Sequence, residues 1–341
     1  MSSYLSLLAI AGLSVGGVLG AGLLQLRARR LPGWLRAAVL YVALVVAGLA
    51  SVFLPAEAWF RCCLAESDGI NRTLATRLWM DRYWKPINSL GYRDEEHPPS
   101  SLLGKRVVFV VGDSFVAGHG IEDIRDRMSA VLQERLGNDW VVITIARNAW
   151  ATEDEAAAVE SYPARPDVIV LGYNTNDIEG AATRLGRPRP LTNLPPPDGL
   201  GLLFDHSYLA NFTYWRVFRW TRPELASEYR AWAAAQFADE QVWRAHTQAL
   251  QRIVDDARAS RAVLVAALFP DLADARDDEP QTAKVGAYLA EQGVASLDFA
   301  RILADRDPRE LVVSTVNPHP NARLHREFGE RVADWIGSHV T

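Results

Sequence analysis

The sequence predicts an α/β domain with a parallel sheet covered on both faces, preceded by an N-terminal two-helix transmembrane hairpin. Three observations lead there. Two apolar runs near the N-terminus are each within spanning length. From Arg106 onward, short apolar runs alternate with amphipathic helical patterns. A helical stretch separates most successive strands, so the strands lie parallel with helices on both faces.

The first apolar run, Tyr4–Leu26, contains no charge, and as a helix it crosses a hydrocarbon core of ~30 Å. Arg27, Arg29, Arg30 and Arg36 follow, and the second run is Ala37–Pro55. We place the spans at about 4–26 and 37–55. A cleaved signal peptide fits the first run poorly, because no positive charge precedes it and no small-residue cleavage site stands out. The arginines put the connecting loop in the cytoplasm, so both termini and everything after about Ala56 are expected outside it. Gly12, Gly16 and Gly20 line one face of the first span. They let another helix approach closely, either the second span or a helix of a partner membrane protein. Cys62 and Cys63 are adjacent, which rarely satisfies disulfide geometry, and no Cys/His metal spacing exists. Residues 56–105 form a juxtamembrane segment with Trp59, Phe60, Trp79, Tyr83 and Trp84, some suited to the headgroup region.

The domain at 106–341 follows element by element. Arg106–Gly112 is a continuous apolar run and reads as a buried strand. Helical spacing appears in Ile124, Met128, Val131, Leu132 and Leu136, closed by Gly137. Trp140–Ala146 is a second strand, followed by a helix with Thr152 as cap and Glu155 completing a capping box. Asp167–Asn174 is a third strand. The stretch Gly186–Gly201 is rich in Pro and Gly and reads as a functional loop insertion. Phe204–Phe218 is helical; its His206 reads as packed or exposed. Ala238–Ser260 is a long amphipathic helix, Ala262–Pro270 a fourth strand and Pro280–Gly293 a helix. Val294–Ala300 is a short fifth strand, and Pro320–His339 the last helix. Trp215, Trp220, Trp232 and Trp243 fall in amphipathic segments and read as core or interface. Asp271, Asp274, Asp277 and Asp278 lack calcium-loop spacing and read as a solvated acidic loop. Asn71-Arg72-Thr73 and Asn211-Phe212-Thr213 match a glycosylation pattern.

Charge excludes other classes. The formal net charge is −5 over 341 residues, and there is no basic stripe for nucleic acid and no phosphate-binding glycine fingerprint. No cofactor and no metal are expected.

The chemistry concentrates at strand ends, where open parallel sheets bind ligands. Gly112-Asp113-Ser114 ends the first strand, and the N–H groups at the following helix start favour an oxyanion. Asn174, Asn176 and Asp177 follow the third strand, and His319 lies in a loop before the last helix. In order, "GDSFVAG", "GYNTND" and "HPNARLH" resemble the blocks of the SGNH, or GDSL-type, hydrolase superfamily. "INSLGYRDEE" upstream resembles the lead-in of bacterial membrane-anchored members, which implies the inner membrane with a periplasmic domain. The resemblance spans about 86–338 and implies a flavodoxin-like three-layer sandwich with esterase chemistry. It implies Ser114 as nucleophile and oxyanion donor, Asn176 as side-chain donor in preference to Asn174, and His319 as general base. Two departures stand out. Asn317 occupies the place of the triad aspartate, and an alanine, Ala149, aligns where a glycine N–H completes the oxyanion hole.

Two functions follow. One is a membrane-anchored serine ester hydrolase or acyl-transfer enzyme acting on an extracytoplasmic acylated small molecule, polymer or lipid. The other is a catalytically attenuated member of the fold serving as a subunit of a membrane protein complex. Ser114, Asn176 and His319 favour the first; Asn317, Ala149 and the glycine stripe favour the second.

Overall fold

The computed structural model describes residues 2–27, 32–69, 73–190, 199–272, 275–276 and 278–340. The readings made on Arg29, Arg30, Asn71, Arg72, Asp274, Asp277 and residues 191–198 lie outside these. The chain divides into two units. One comprises Met1–Glu66, Asn71–Trp79 and Pro195–Thr221; the other Ser67–Ile70, Met80–Leu194 and Arg222–Thr341.

In the first unit, helices α1 (Ser2–Arg27) and α2 (Gly33–Cys62) lie against each other. Among the described residues, α2 is long and apolar enough to cross a membrane, and Ser14–Leu23 forms a shorter apolar helical stretch. Tyr41, Val42, Leu49, Val52 and Phe53 are exposed along α2. The helix does not stop at Pro55 but continues to Cys62. A Cβ at Gly22 would meet Ala43 Cβ at 3.4 Å, whereas one at Gly12, Gly16 or Gly20 would meet no atom of the described residues within 4 Å. The glycine stripe therefore does not serve the contact with α2.

The segment Pro195–Thr221 belongs to this unit through the end of α2. It contains helices Gly201–His206 and Tyr208–Thr221. A helix start leaves N–H groups without intrahelical acceptors. Here Glu57 of α2 supplies them, accepting from Tyr208 N and Leu209 N at 2.9 Å each and from Ser207 Oγ at 2.8 Å. Arg61 donates to the His206 carbonyl at 2.7 Å. Phe60 meets Phe212 at 4.9 Å between ring centres, and Trp215 is buried.

The second unit is built on a five-stranded parallel sheet. Its strands are β1 (Arg106–Gly112), β2 (Trp140–Ala146), β3 (Val168–Asn174), β4 (Val263–Phe269) and β5 (Ala295–Asp298), in spatial order β2-β1-β3-β4-β5. This is the flavodoxin order, whose ligand crevice opens where β1 and β3 lead in opposite directions. Side chains alternate across the sheet. Val107, Phe109 and Val111 join one core layer with Leu250, Ile253 and Val254 of the helix Glu240–Ser260. Val108 and Val110 join the other with Met128, Phe328 and Val332. Trp232 and Trp243 are partly buried against the first layer.

Several local readings change. The helix Thr152–Ser161 is capped by Ala151, not Thr152, and Asp154 rather than Glu155 returns to the cap N–H. Thr152 and Glu155 instead turn inward and are fully buried. His319 lies not in a loop but on β7 (Asn317–Pro320), which pairs antiparallel with β6 (Val312–Ser314) before the helix Ala322–His339. Val312 against Pro320 and Ser314 against Asn317 set that register. Asp278 is not merely solvated: it accepts from Thr175 Oγ1 and Asp271 N, each at 2.6 Å.

Candidate active site

Ser114 begins a one-turn helix, Ser114–Ala117, directly after β1. Asp113 caps it, accepting from Phe115 N at 2.8 Å. The turn sits close on the sheet because β1 and β3 carry glycine beneath it. A Cβ at Gly112 or Gly172 would stand 2.5 or 2.3 Å from Val116 Cγ2, distances no real contact shows.

The three residues expected together are together. Ser114 Oγ lies 2.8 Å from His319 Nε2, and His319 Nδ1 lies 2.6 Å from Asn317 Oδ1. The backbone N–H of His319 also donates to Asn317 Oδ1, at 3.2 Å. A backbone N–H can only donate, so the atom facing His319 is the amide oxygen. Nδ1 must then carry the ring proton, leaving Nε2 as the acceptor for the serine hydroxyl. Burial holds His319 neutral well below the usual histidine range, and the nearby His119 and His325 push in the same direction.

The asparagines after β3 divide their work. Asn174 caps the turn Thr175–Ile178, accepting from Asn176 N at 3.2 Å, while its own N–H donates to Asp177 at 2.9 Å. Asn176 Nδ2 reaches Asp113 Oδ2 at 3.2 Å, and Ser114 Oγ is 3.4 Å from that same oxygen. Asn176 is thus the one beside the serine. Burial raises the Asp113 carboxyl to about 6, against the opposing pull of Phe115 N–H and Asn176.

Ala149 has φ 63°, in the left-handed region where a Cβ is costly. It follows Asn148, whose amide group lies 3.1 Å from His119 Nδ1. Residue 149 therefore adopts a backbone geometry that suits glycine, with alanine in its place.

Sequence reading did not single out His119, Ser67 or Arg93, which lie behind these residues. His119 is buried, with its ring centre 4.6 Å from that of His319. Ser67 Oγ is 2.8 Å from both His119 Nε2 and Asn317 Nδ2. Arg93 is buried and donates to the carbonyls of Gly118 at 2.7 Å, Ile121 at 2.6 Å and Tyr83 at 2.8 Å. It holds the loop that carries His119. Burial and the charge of Arg127 lower its guanidinium to about 9. Glu155 and Asp177 are buried; desolvation raises both carboxyls well above their ordinary values, with the charge of Asp113 adding at Glu155 and those of Glu155 and Asp113 adding at Asp177. The one available signal was Arg93 within "GYRDEE", quoted only for its resemblance.

No curated protein matches the chain. Among solved structures, TesA is 18% identical and is covered over 99% of its length by 68% of this chain, with a TM-score of 0.42. A carbohydrate acetylesterase family member from Sinorhizobium meliloti is 15% identical, covering 68% of this chain and 98% of that one, with a TM-score of 0.40. The M. smegmatis aryl esterase is 14% identical over 68% and 99%, with a TM-score of 0.37. The sequence model of the GDSL-like lipase/acylhydrolase family matches residues 110–327, a stretch that contains Ser114, Asn176 and His319 and most of the chain. The chain belongs to that family.

Proposed function

We propose that this protein is a membrane-anchored serine ester hydrolase or acyl-transfer enzyme with its catalytic domain in the periplasm. The observation that carries the reading is the unbroken line Ser114 Oγ, His319 Nε2, His319 Nδ1, Asn317 Oδ1, with steps of 2.8 and 2.6 Å between residues. Ser114 Oγ attacks the ester carbonyl carbon, and its proton passes to His319 Nε2. The carbonyl electrons move to oxygen, where the N–H groups of Ser114 and Ala149 and the Asn176 amide are the proposed donors. His319 returns the proton to the leaving alcohol. Water, or an acceptor alcohol, then resolves the acyl-serine by the same route.

Asn317 orients the imidazole but carries no charge to stabilise the imidazolium. In the Ser-His-Asp template, aspartate-to-asparagine exchange lowers kcat by about 10⁴. We therefore propose a slow hydrolase or one restricted to activated acyl groups, with an acylated envelope polymer or lipid as substrate. α2 supports membrane anchoring, and the loop arginines favour a periplasmic domain.

A second reading has its own observation. Gly12, Gly16 and Gly20 have open space before them, which suits a helix from another membrane protein and a role as a complex subunit.

Labelling of the detergent-extracted chain with a fluorophosphonate probe separates the two. Labelling lost in Ser114→Ala supports the hydrolase. Labelling only after Asn317→Asp supports the attenuated subunit.

A further inference from the structure

The Asn317 carboxamide is enclosed to a degree that a simple imidazole partner does not require. Its side chain is fully buried. A Cβ at Gly69 would stand 2.9 Å from Oδ1, and one at Gly120 would stand 2.8 Å from Nδ2. Both glycines have positive φ, +72° and +94°, so each exposes a face with no side chain to the amide.

Beyond the amide, hydrogen bonds continue through Ser67 to His119. The His319 backbone N–H fixes Oδ1 toward the imidazole, so Nδ2 donates to Ser67 Oγ at 2.8 Å. Ser67 Oγ accepts from that N–H and itself lies 2.8 Å from His119 Nε2. On the other edge of the ring, His119 Nδ1 lies 3.1 Å from Asn148 Nδ2.

We infer that Ser67 and His119 are positioning residues for the proposed reaction: they hold the Asn317 amide in the one orientation that leaves His319 Nε2 free to accept from Ser114. A carboxylate has two equivalent oxygens and needs no such restraint. An amide turned over by half a rotation would present N–H to Nδ1, drive the ring proton to Nε2 and remove the base. The chain thus replaces the symmetry lost with asparagine by a second arm of hydrogen bonds. The inference rests on Ser114 being the nucleophile.

The test is the rate of Ser114 labelling by a fluorophosphonate in the full-length protein. Ser67→Ala is expected to slow labelling about tenfold, the scale of one lost buried hydrogen bond. In the Asn317→Asp background the same Ser67→Ala change is expected to alter the rate by less than about twofold, since the orientation no longer matters. That double variant also reports that removal of Ser67 leaves the domain folded. His119→Gln, which retains an acceptor for Ser67, is expected to label faster than His119→Leu. Equal slowing by Ser67→Ala in both backgrounds, or no slowing in either, overturns the inference while leaving the hydrolase reading in place. No labelling of Ser114 in either the native chain or Asn317→Asp overturns the hydrolase reading and this inference with it.

Discussion

The backbone N–H and the ring Nδ1 of His319 converge on a single atom, Asn317 Oδ1, at 3.2 and 2.6 Å. The shared acceptor locks the ring to its own backbone as well as to the amide. It also divides the work of a triad carboxylate into geometry, which asparagine retains, and charge, which it lacks.

The charge should be recoverable. Asn317→Asp is expected to raise the rate of Ser114 labelling by more than about tenfold, within the span that this exchange covers in the template. Stopped-time labelling with in-gel fluorescence measures it; an unchanged or lower rate would show that charge at 317 does not limit the serine.

An acid-side change in reactivity should follow Asp113 rather than the histidine. Burial keeps His319 neutral far below neutrality, whereas the Asp113 carboxyl titrates at about 6. Its protonation weakens the acceptor that holds Asn176 Nδ2. The labelling rate is therefore expected to fall through pH 6 in the native chain, and this inflection should vanish in Asp113→Asn. Rates between pH 5 and 8 decide it.

Glu155 opposes stability at neutral pH. Its carboxyl is buried with no partner for either oxygen among the described residues, and its affinity for a proton is higher folded than unfolded. The stabilisation from that proton is complete below the ordinary value of 4.5 and is lost as pH rises through the folded value. Glu155→Gln should melt close to the native chain at pH 4.5 and above it at pH 8. Thermal unfolding at both pH values tests this, and a native chain that melts higher at pH 8 would contradict it.

Position 149 invites a paired substitution. Alanine at φ 63° bears a strain of ~1 kcal/mol that glycine relieves. Ala149→Gly is expected to raise the melting point while preserving labelling, and the β-branched Ala149→Val to lower both. A melting point unmoved by glycine would show that the strain is offset locally.

Arg93 should be irreplaceable in its loop. Its fork reaches three carbonyls in two segments, Tyr83 in one and Gly118 and Ile121 in the other, which a lysine point charge cannot match. Arg93→Lys and Arg93→Met are both expected to destabilise by ~3 kcal/mol, with faster amide exchange across residues 117–122. Native-like exchange in Arg93→Lys would sink this assignment.

These residues also mark how far sequence carries. The sheet was legible because Val107–Val111 and Val168–Leu171 are continuous apolar runs, a local signal that fully buried parallel strands produce. Ser114 and His319 were legible because each sits in a short block at an element boundary. Ser67 was not, since it meets Asn317 across 250 residues and a lone serine has no pattern. Glu155 was misread for the reverse reason: its spacing from Thr152 imitates a capping box, and tertiary burial overrode that local preference. The pairing of β6 with β7 was hidden because neither strand exceeds four residues.

The carboxylate of Glu57 has a consequence for how the protein is made. It closes the start of a helix that begins at Tyr208, about 150 residues later in the chain. Helix α2 emerges first and waits; the segment that needs it emerges only after β3 is complete. A version begun after Cys62 would thus not be simply the same chain without α2. It would carry an internal stretch, 199–221, deprived of its helix start and with Phe212 missing Phe60. Helix α2 is a template for part of the polypeptide that follows, and trimming it removes that template.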